Sequence, residues 1–401
     1  MTSPNPQPDS APGEVIVNVF GRTDVGRVRD HNEDSFLVAD LTADNASLQP
    51  EVRTHLLGSH GSLFMVADGL GGAAAGEVAS ELAILTVQSE LRAQWRAATE
   101  RTPELFARAI KTAAEAANAK IFAYAVEHPE SRGLGTTATI AGLLGDTLYL
   151  AQVGDSRAYI VRNGVVLQIT KDQSLMQRLI EAGELTPEEA ERSERRNIIL
   201  QALGPEPTVK IDLTYQKVRK GDTLVLCTDG LSGLVRKDEI AEILQDSNDD
   251  LLTACKELID RANENGGPDN ITVIVARFEG DGLATADDAE SVGHAVFPLP
   301  GSQTPVTPRQ RFADGPTAPF RRRNTLAVPS EKADPGVEET TAPIATPRPM
   351  STRGRSILFL VAGALLVIAA LLVYRIYKTG VVHGRQPDPN HPAAADSGVR
   401  A

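Results

Sequence analysis

Four aspartates stand at places where a chain can bring acids together. Asp68 follows the apolar run Phe64-Met65-Val66-Ala67 and precedes Gly69-Leu70-Gly71-Gly72. Asp229 follows Leu224-Val225-Leu226-Cys227-Thr228 and precedes Gly230. Asp155 comes after Val153-Gly154, and Asp269 lies in Gly266-Gly267-Pro268-Asp269-Asn270, just before Ile271-Thr272-Val273-Ile274-Val275. Each acid sits at the tip of a strand-like run beside glycine, which lets the backbone bend and approach a ligand closely. One Asp-Gly at a strand end is ordinarily a turn. Four on separate runs that can converge describe a shared site, where the carboxylates would repel one another unless cations bridge them. Ligation by oxygen alone, with no His or Cys pair at ligand spacing, suits Mg²⁺ or Mn²⁺ better than zinc. A further group, Arg29-Asp30-His31-Asn32-Glu33-Asp34, places a guanidinium near two more carboxylates. A guanidinium fits phosphate oxygens in a bidentate fork. Taken alone, Arg29 is equally a surface salt-bridge residue and His31 a loop residue.

The elements that must carry these residues read as strands and helices in blocks. Strands are expected at Glu14–Thr23, Ser35–Ala39, Ser62–Ala67, Thr137–Leu144, Thr147–Val153, Arg157–Arg162, Val165–Ile169, Lys210–Gln216, Asp222–Cys227 and Ile271–Phe278. Ile84, Val87, Leu91 and Trp95 follow helical spacing, which predicts a helix from Ala74 to Arg96. Thr102-Pro103 is a helix start, with an N-cap hydroxyl and then proline at the first helical position. Further helices are expected at Gln173–Ala182, Lys237–Gln245 and Asp249–Asn265. Helix pairs among many consecutive strands give the class α+β, with helices layered on mostly antiparallel sheets.

Composition divides the chain of 401 residues. Residues 1–13 read as a disordered N-terminus without a secretion signal, 14–279 as the folded domain and 280–355 as a disordered proline-rich linker containing Arg321-Arg322-Arg323. Ile357 to Val373 carries no charge and is flanked by Arg353, Arg355, Arg375 and Lys378, so 356–374 reads as one membrane-spanning helix and 375–401 as a short polar tail. The basic residues on the two sides of the span tie. The size of the N-terminal domain and the shortness of the tail place the domain in the cytosol, on a single-pass protein of the cytoplasmic membrane. Residues 1–300 hold 27 Lys and Arg against 46 Asp and Glu, an excess of acid that makes nucleic acid a poor partner. Cys227 and Cys255 are the only cysteines and sit among apolar neighbours, so they read as core residues rather than nucleophiles.

Arg29-x-x-Asn32-Glu33-Asp34, Asp68-Gly69-x-Gly71-Gly72, Gly135-Thr136-Thr137, Gly154-Asp155-Ser156-Arg157, Thr228-Asp229-Gly230 and Gly267-x-Asp269-Asn270 occur in the order found in PPM-type (PP2C-like) protein phosphatases. The chain resembles the bacterial serine/threonine phosphatases of that class over about residues 14–279. The resemblance implies an α-β-β-α sandwich, two central antiparallel sheets flanked by helix pairs. It implies that Asp68 bridges two metals, that the Gly69 carbonyl binds one of them, and that Asp229 and Asp269 complete the first. Glu33 would hold water on the second, with Asp34 in support. Asp155, with Asp229, would serve a third. Arg29 would clamp the substrate phosphate, and Asn197 to Gly204 would end a mobile flap beside the site. The implied activity is hydrolysis of phosphoserine and phosphothreonine in proteins by a hydroxide bridging Mn²⁺ or Mg²⁺, opposing bacterial Ser/Thr kinases, and the implied partners are phosphorylated proteins, those kinases included. Two positions depart from the pattern. Leu70 stands where some relatives have a histidine able to act as general acid, and Gln173 stands in Asp172-Gln173-Ser174 where the family often has histidine. A catalytically silent binding module on the same fold and a membrane-anchored cation-binding scaffold are the competing classes. The complete set of carboxylates argues against the former.

Overall fold

The computed structural model describes residues 13–43, 45–47, 53–71, 75–131, 133–286 and 292–299. The expected N-terminal disorder before Gly13, Gly72, the Arg321–Arg323 cluster, the span at 356–374 and the tail lie outside them. No helix among the described residues is long and apolar enough to cross a membrane.

The strands are β1 Ile16–Asp24, β2 Asp34–Asp40, β3 Asn45–Ser47, β4 Arg53–Leu56, β5 Ser62–Leu70, β6 Gly135–Thr136, β7 Ala138–Leu144, β8 Thr147–Val153, β9 Arg157–Arg162, β10 Val165–Gln168, β11 Asp212–Lys217, β12 Thr223–Cys227 and β13 Ile271–Glu279. The helices are α1 Ala75–Ala97, α2 Pro103–Glu127, α3 Leu175–Glu181, α4 Pro187–Glu191, α5 Asp229–Ser232, α6 Lys237–Asp246 and α7 Leu251–Glu264. One sheet runs β10-β9-β12-β13-β1-β4; the other runs β11-β8-β7-β5-β2-β3, with β6 paired to β5. Every strand pair in the ladders is antiparallel.

Period-two alternation explains the layering. Along β5, Leu63, Met65 and Ala67 pack on α1 and α2, among Ile84, Leu91, Trp95, Phe106 and Ile110. Phe64 and Val66 point the other way, into a core shared with Leu224, Leu226, Ile274 and Phe278 of the second sheet. On that sheet's outer face, Val225, Val273 and Val275 meet Ile240, Leu258 and Ile259 of α6 and α7. The order is helices, sheet, sheet, helices: the α-β-β-α sandwich. A central strand buried on both faces reads as a continuous apolar run, which is why β5, β12 and β13 are apolar without alternation of polarity. Thr102 caps α2 as its sequence suggested, its Oγ1 accepting from Leu105 N over 3.3 Å.

Packing continues past the expected domain boundary at 279, which corrects the reading of the linker for its first part, residues 280–286 and 292–299; the rest of 280–355 lies outside the described residues. Leu283 is buried in the core between the sheets. Residues 292–299 lie along β11, the edge strand of their sheet. Tyr215 N donates to Ala295 O over 2.9 Å, Phe297 N to Leu213 O over 2.9 Å, and Gly293 N to Gln216 Oε1 over 3.1 Å. The Phe297 ring meets Tyr149 and Tyr215 edge-on at centroid distances of 5.3 and 5.7 Å. Pro298 is tolerated because the position after Phe297 turns its missing N–H away from β11. A short edge strand has no periodicity of its own to announce it, so proline content misled.

Candidate active site

The alternation that builds the inter-sheet core also builds the site. Asp68 lies two residues beyond Val66, Asp34 two before Phe36, Thr272 two before Ile274 and Thr228 two after Leu226. The apolar members of these pairs all belong to the inter-sheet core, so the polar ones cap its end. Asp34 and Asp68 are cross-strand partners in the β2–β5 ladder. Asp68 does not end its strand as its sequence suggested. β5 continues to Leu70, because Gly69 and Leu70 pair with Thr136 and Gly135 of β6. Likewise Asp229 opens the short helix α5, with Thr228 at its N-cap.

The Asp68 peptide is held on both sides. Its N–H donates to Thr137 Oγ1 over 3.0 Å, and its carbonyl accepts from Thr137 N at 2.9 Å and Thr136 Oγ1 at 2.8 Å. Thr137 Oγ1 lies 2.7 Å from the buried Ser156 Oγ, which ties the turn of Asp155 to the same post. Gly154 enters that turn at φ +96°, a left-handed conformation that favours glycine. Glu33 is placed by two backbone bonds: its N–H donates to Asn270 Oδ1 over 2.8 Å, and its carbonyl accepts from Gly69 N over 3.2 Å. The start of α1 comes so close that a Cβ on Gly76 would stand 2.8 Å from Glu33 Cδ. Asn270 Nδ2 donates to Val25 O and His31 O, both over 2.9 Å, which closes the Arg29–Glu33 loop against Asp269. Arg29 Nη2 donates to Asp269 Oδ2 over 2.8 Å, with the guanidinium about half exposed. His31 itself is exposed.

Asp34 is buried, and its Oδ2 accepts from Thr228 Oγ1 over 2.8 Å and Thr272 Oγ1 over 2.7 Å. Because Thr272 donates there, Thr23 donates to Thr272 over 2.7 Å, and Asn32 Nδ2 donates to Thr23 over 2.8 Å. Asp34 Oδ1 has no partner. Burial, opposed only in part by the two threonines, pushes this carboxyl up to about 7. Burial, then repulsion from Asp34, Asp229 and Asp155, pushes Asp68 well above the usual carboxylate range. Asp155 is pushed up to about 7 by burial and by Asp229. Burial and Asp269 raise Asp229, and burial raises Glu33.

These residues fit hard cations. A buried carboxylate oxygen without a partner, among acids that hold one another's protons on, is an environment that positive charge would relieve. Among the described residues no three acidic, His or Cys side chains enclose a point by themselves. A cation here would therefore complete its shell with carbonyl oxygen and water, as Mg²⁺ and Mn²⁺ do. Burial pushes the Cys227 thiol up to about 12, and both cysteines are unpaired and buried, so neither is a nucleophile.

Residues 174–199 form an excursion through α3 and α4 that leaves and returns beside the Asp155 turn. Leu175 N donates to Ile198 O over 2.8 Å and Leu200 N to Gln173 O over 2.7 Å. Arg157 of the Gly-Asp-Ser-Arg motif is hydrogen-bonded to Asp172 through Nε and Nη2 at 2.7 to 3.1 Å, and its charge offsets part of the rise at Asp155 and Asp229. Thr23, Glu77 and Thr272 are not singled out by the sequence, and Thr228 enters it only as the first residue of Thr228-Asp229-Gly230, with no role. The available signals were a lone hydroxyl in the apolar strand Ile271–Val275 and a threonine directly before Asp229. Glu77, in the first turn of α1, raises the Glu33 carboxyl.

The family model of protein phosphatase 2C matches residues 45–270. Serine/threonine phosphatase stp of Listeria innocua is 38% identical over 258 residues, 63% of this chain and 93% of that protein. Serine/threonine protein phosphatase PstP of Mycobacterium tuberculosis is 37% identical over 263 residues, 65% of this chain and 45% of that one. Among solved structures, the catalytic domain of PstP in complex with two manganese ions has a TM-score of 0.53 at 35% identity, covering 66% of this chain and 99% of its own. The S. agalactiae serine/threonine phosphatase has a TM-score of 0.56 at 31% identity, covering 65% and 99%. Six motifs in order, the four-layer sandwich and these likenesses define one class: the chain belongs to the protein phosphatase 2C family.

Proposed function

We propose that this protein hydrolyses phosphoserine and phosphothreonine in proteins with Mn²⁺ or Mg²⁺ as cofactor. The observation that carries the reading is the convergence of Asp34, Asp68, Asp155 and Asp229, from separate segments, on the end of the inter-sheet core with every carboxyl raised by burial. When bound, two such cations supply Lewis acidity and a water acidic enough to attack phosphorus near neutral pH. Asp68 would be shared between them, Asp229, Asp269 and the Gly69 carbonyl would hold one, and Glu33, backed by Asp34, would orient water on the other. Asp155 with Asp229 would hold a further cation. Arg29 would leave Asp269 in part to grip two non-bridging phosphate oxygens, fixing the phosphate for in-line attack. The bond from phosphorus to the serine or threonine oxygen breaks, and that oxygen takes a proton from water, since Leu70 offers none. The direct test is phosphate release from phosphothreonine and phosphotyrosine peptides. Mn²⁺-dependent turnover of the former, stopped by chelator, supports the reading; turnover that ignores chelator contradicts it.

We further propose that residues 356–374 tether the domain to the cytoplasmic membrane on the side where ATP-dependent kinases, the opposing activity, phosphorylate their targets. Support comes from the uncharged run Ile357–Val373 and its basic flanks. A reporter active only after export should light up when fused after Ala401. A dark reporter there, together with a bright one on the N-terminal side, contradicts the orientation.

A further inference from the structure

Gln173 opens the α3–α4 excursion and is hydrogen-bonded to none of the carboxylates assigned to cations, yet it grips the turn that carries one. Its Oε1 accepts from Gly154 N over 3.0 Å, and its own backbone N–H donates to Gly154 O over 2.9 Å. Both hydrogen-bonding groups of Gly154, the residue before Asp155, are thereby met by Gln173, and Gln152 Nε2 adds a longer bond to the Gly154 carbonyl over 3.2 Å. On its other side, Gln173 Nε2 donates to Asp212 Oδ2 of β11 over 3.1 Å, with longer bonds of 3.4 Å to Gln152 O and Lys210 O, and the Gln173 carbonyl accepts from Leu200 N over 2.7 Å, where the excursion returns. One residue joins the β8–β9 turn, the edge strand, and both ends of the excursion. The position needs an acceptor for Gly154 N and a donor for the Asp212 carboxylate together. An amide supplies both, whereas a carboxylate supplies only acceptors.

We propose that Gln173 is a positioning residue whose amide fixes the Gly154–Asp155 turn and couples the cation held by Asp155 to the return of the excursion at Leu200. The proposal rests on the reading of Asp155 as a cation ligand. Glycine before the ligand makes the clamp necessary, because the peptide of a glycine turn is otherwise the freest in the chain. Residues that orient a ligand from behind typically change metal affinity by about 10–100-fold when removed.

The test is Mn²⁺ binding by calorimetry on the full-length protein, with amide exchange read at residues 154–156 and 198–200. In the wild type, one binding event should disappear on Asp155→Asn. Gln173→Leu should weaken that event by about tenfold, leave the other events unchanged, and speed exchange in both segments. Gln173→Glu, which keeps the acceptor but sets a carboxylate against Asp212, should do the same. Adding Asp212→Asn to it should restore part of the binding, since the stronger donor–acceptor pair, that with Asp212, has then changed places. If both single variants match the wild type in affinity and exchange, the proposal is overturned. It is overturned equally if all events and the melting temperature fall together without rescue, which would mark Gln173 as packing only. A wild type with no event sensitive to Asp155→Asn overturns the further-cation reading before any Gln173 variant is made, and removes the coupling with it.

Discussion

Thr272 Oγ1 donates a 2.7 Å hydrogen bond to Asp34 Oδ2 from 238 residues away in sequence, joining the two sheets at the polar end of their shared core. With Thr228 it is one of two hydroxyls that satisfy one oxygen of a carboxylate whose other oxygen has no partner. The bond orients Asp34 while leaving Oδ1 for whatever occupies the site. Thr272→Val keeps the shape and removes the donor. It should lower stability by about 2 kcal/mol, or about 4–8 °C in a domain of this size, and weaken Mn²⁺ binding. Thr272→Ser should restore most of both. A valine variant that melts and binds Mn²⁺ like the wild type would show that the bond holds nothing in place.

Arg29 is tied to Asp269 yet about half exposed, so the pairing leaves it free to reach a second anion. An exposed pair of this kind contributes little to stability. Arg29→Ala should therefore melt close to the wild type while kcat/KM for small phosphate esters falls by about a hundredfold. Lysine should recover only part, because it cannot reproduce the guanidinium fork. Unchanged kcat/KM would reduce Arg29 to a partner of Asp269.

The buried acids make stability depend on pH in an unusual direction. Asp34 and Asp155 are raised to about 7 in the folded protein, above their range in an unfolded chain. The folded state then binds more protons than the unfolded one between about pH 4 and 7. Metal-free protein should lose stability as pH rises through that window. Mn²⁺ should reverse the trend, raising the melting temperature more at pH 7.5 than at pH 5, since it binds the deprotonated acids. A metal-free melting temperature that rises from pH 5 to 7.5 would contradict the burial of charge described here.

Much of the fold was legible because its elements follow simple periods. The α1 stripe Ile84, Val87, Leu91, Trp95 and the Thr102-Pro103 start of α2 were visible as such, and ten strand runs were read within a few residues. The short elements β3, β4, β6, α4 and α5 were not, since two to five residues carry no period. The acids could be picked out by their glycine neighbours at strand ends. The support from Thr272 could not, because a threonine in Ile271–Val275 becomes informative only once β2 and β13 are known to face each other across the core.

The strap at 292–299 was missed for a related reason, and it sets a measurable boundary. A chain ending after Gly282 exposes the Tyr149 and Tyr215 faces that Phe297 covers and removes buried Leu283. Burying one such side chain contributes about 1.5–3 kcal/mol. That fragment should melt about 5–10 °C below one ending after Pro300. Equal melting temperatures would mean that the strap adds nothing to the domain.

Phosphate release from a phosphothreonine peptide, followed as Mn²⁺ is raised for the wild type beside Asp68→Asn, decides whether these carboxylates serve hydrolysis. Saturable activation by Mn²⁺ is predicted in the wild type. In the variant, turnover should fall by at least about a thousandfold, while its metal-free melting temperature equals or exceeds the wild type's, because a buried acid that is costly to ionise has become a neutral amide. Wild-type turnover without Mn²⁺ or Mg²⁺, or an Asp68→Asn protein that turns over at the wild-type rate, would contradict the claim that these strand-end carboxylates hold the cations of a phosphatase.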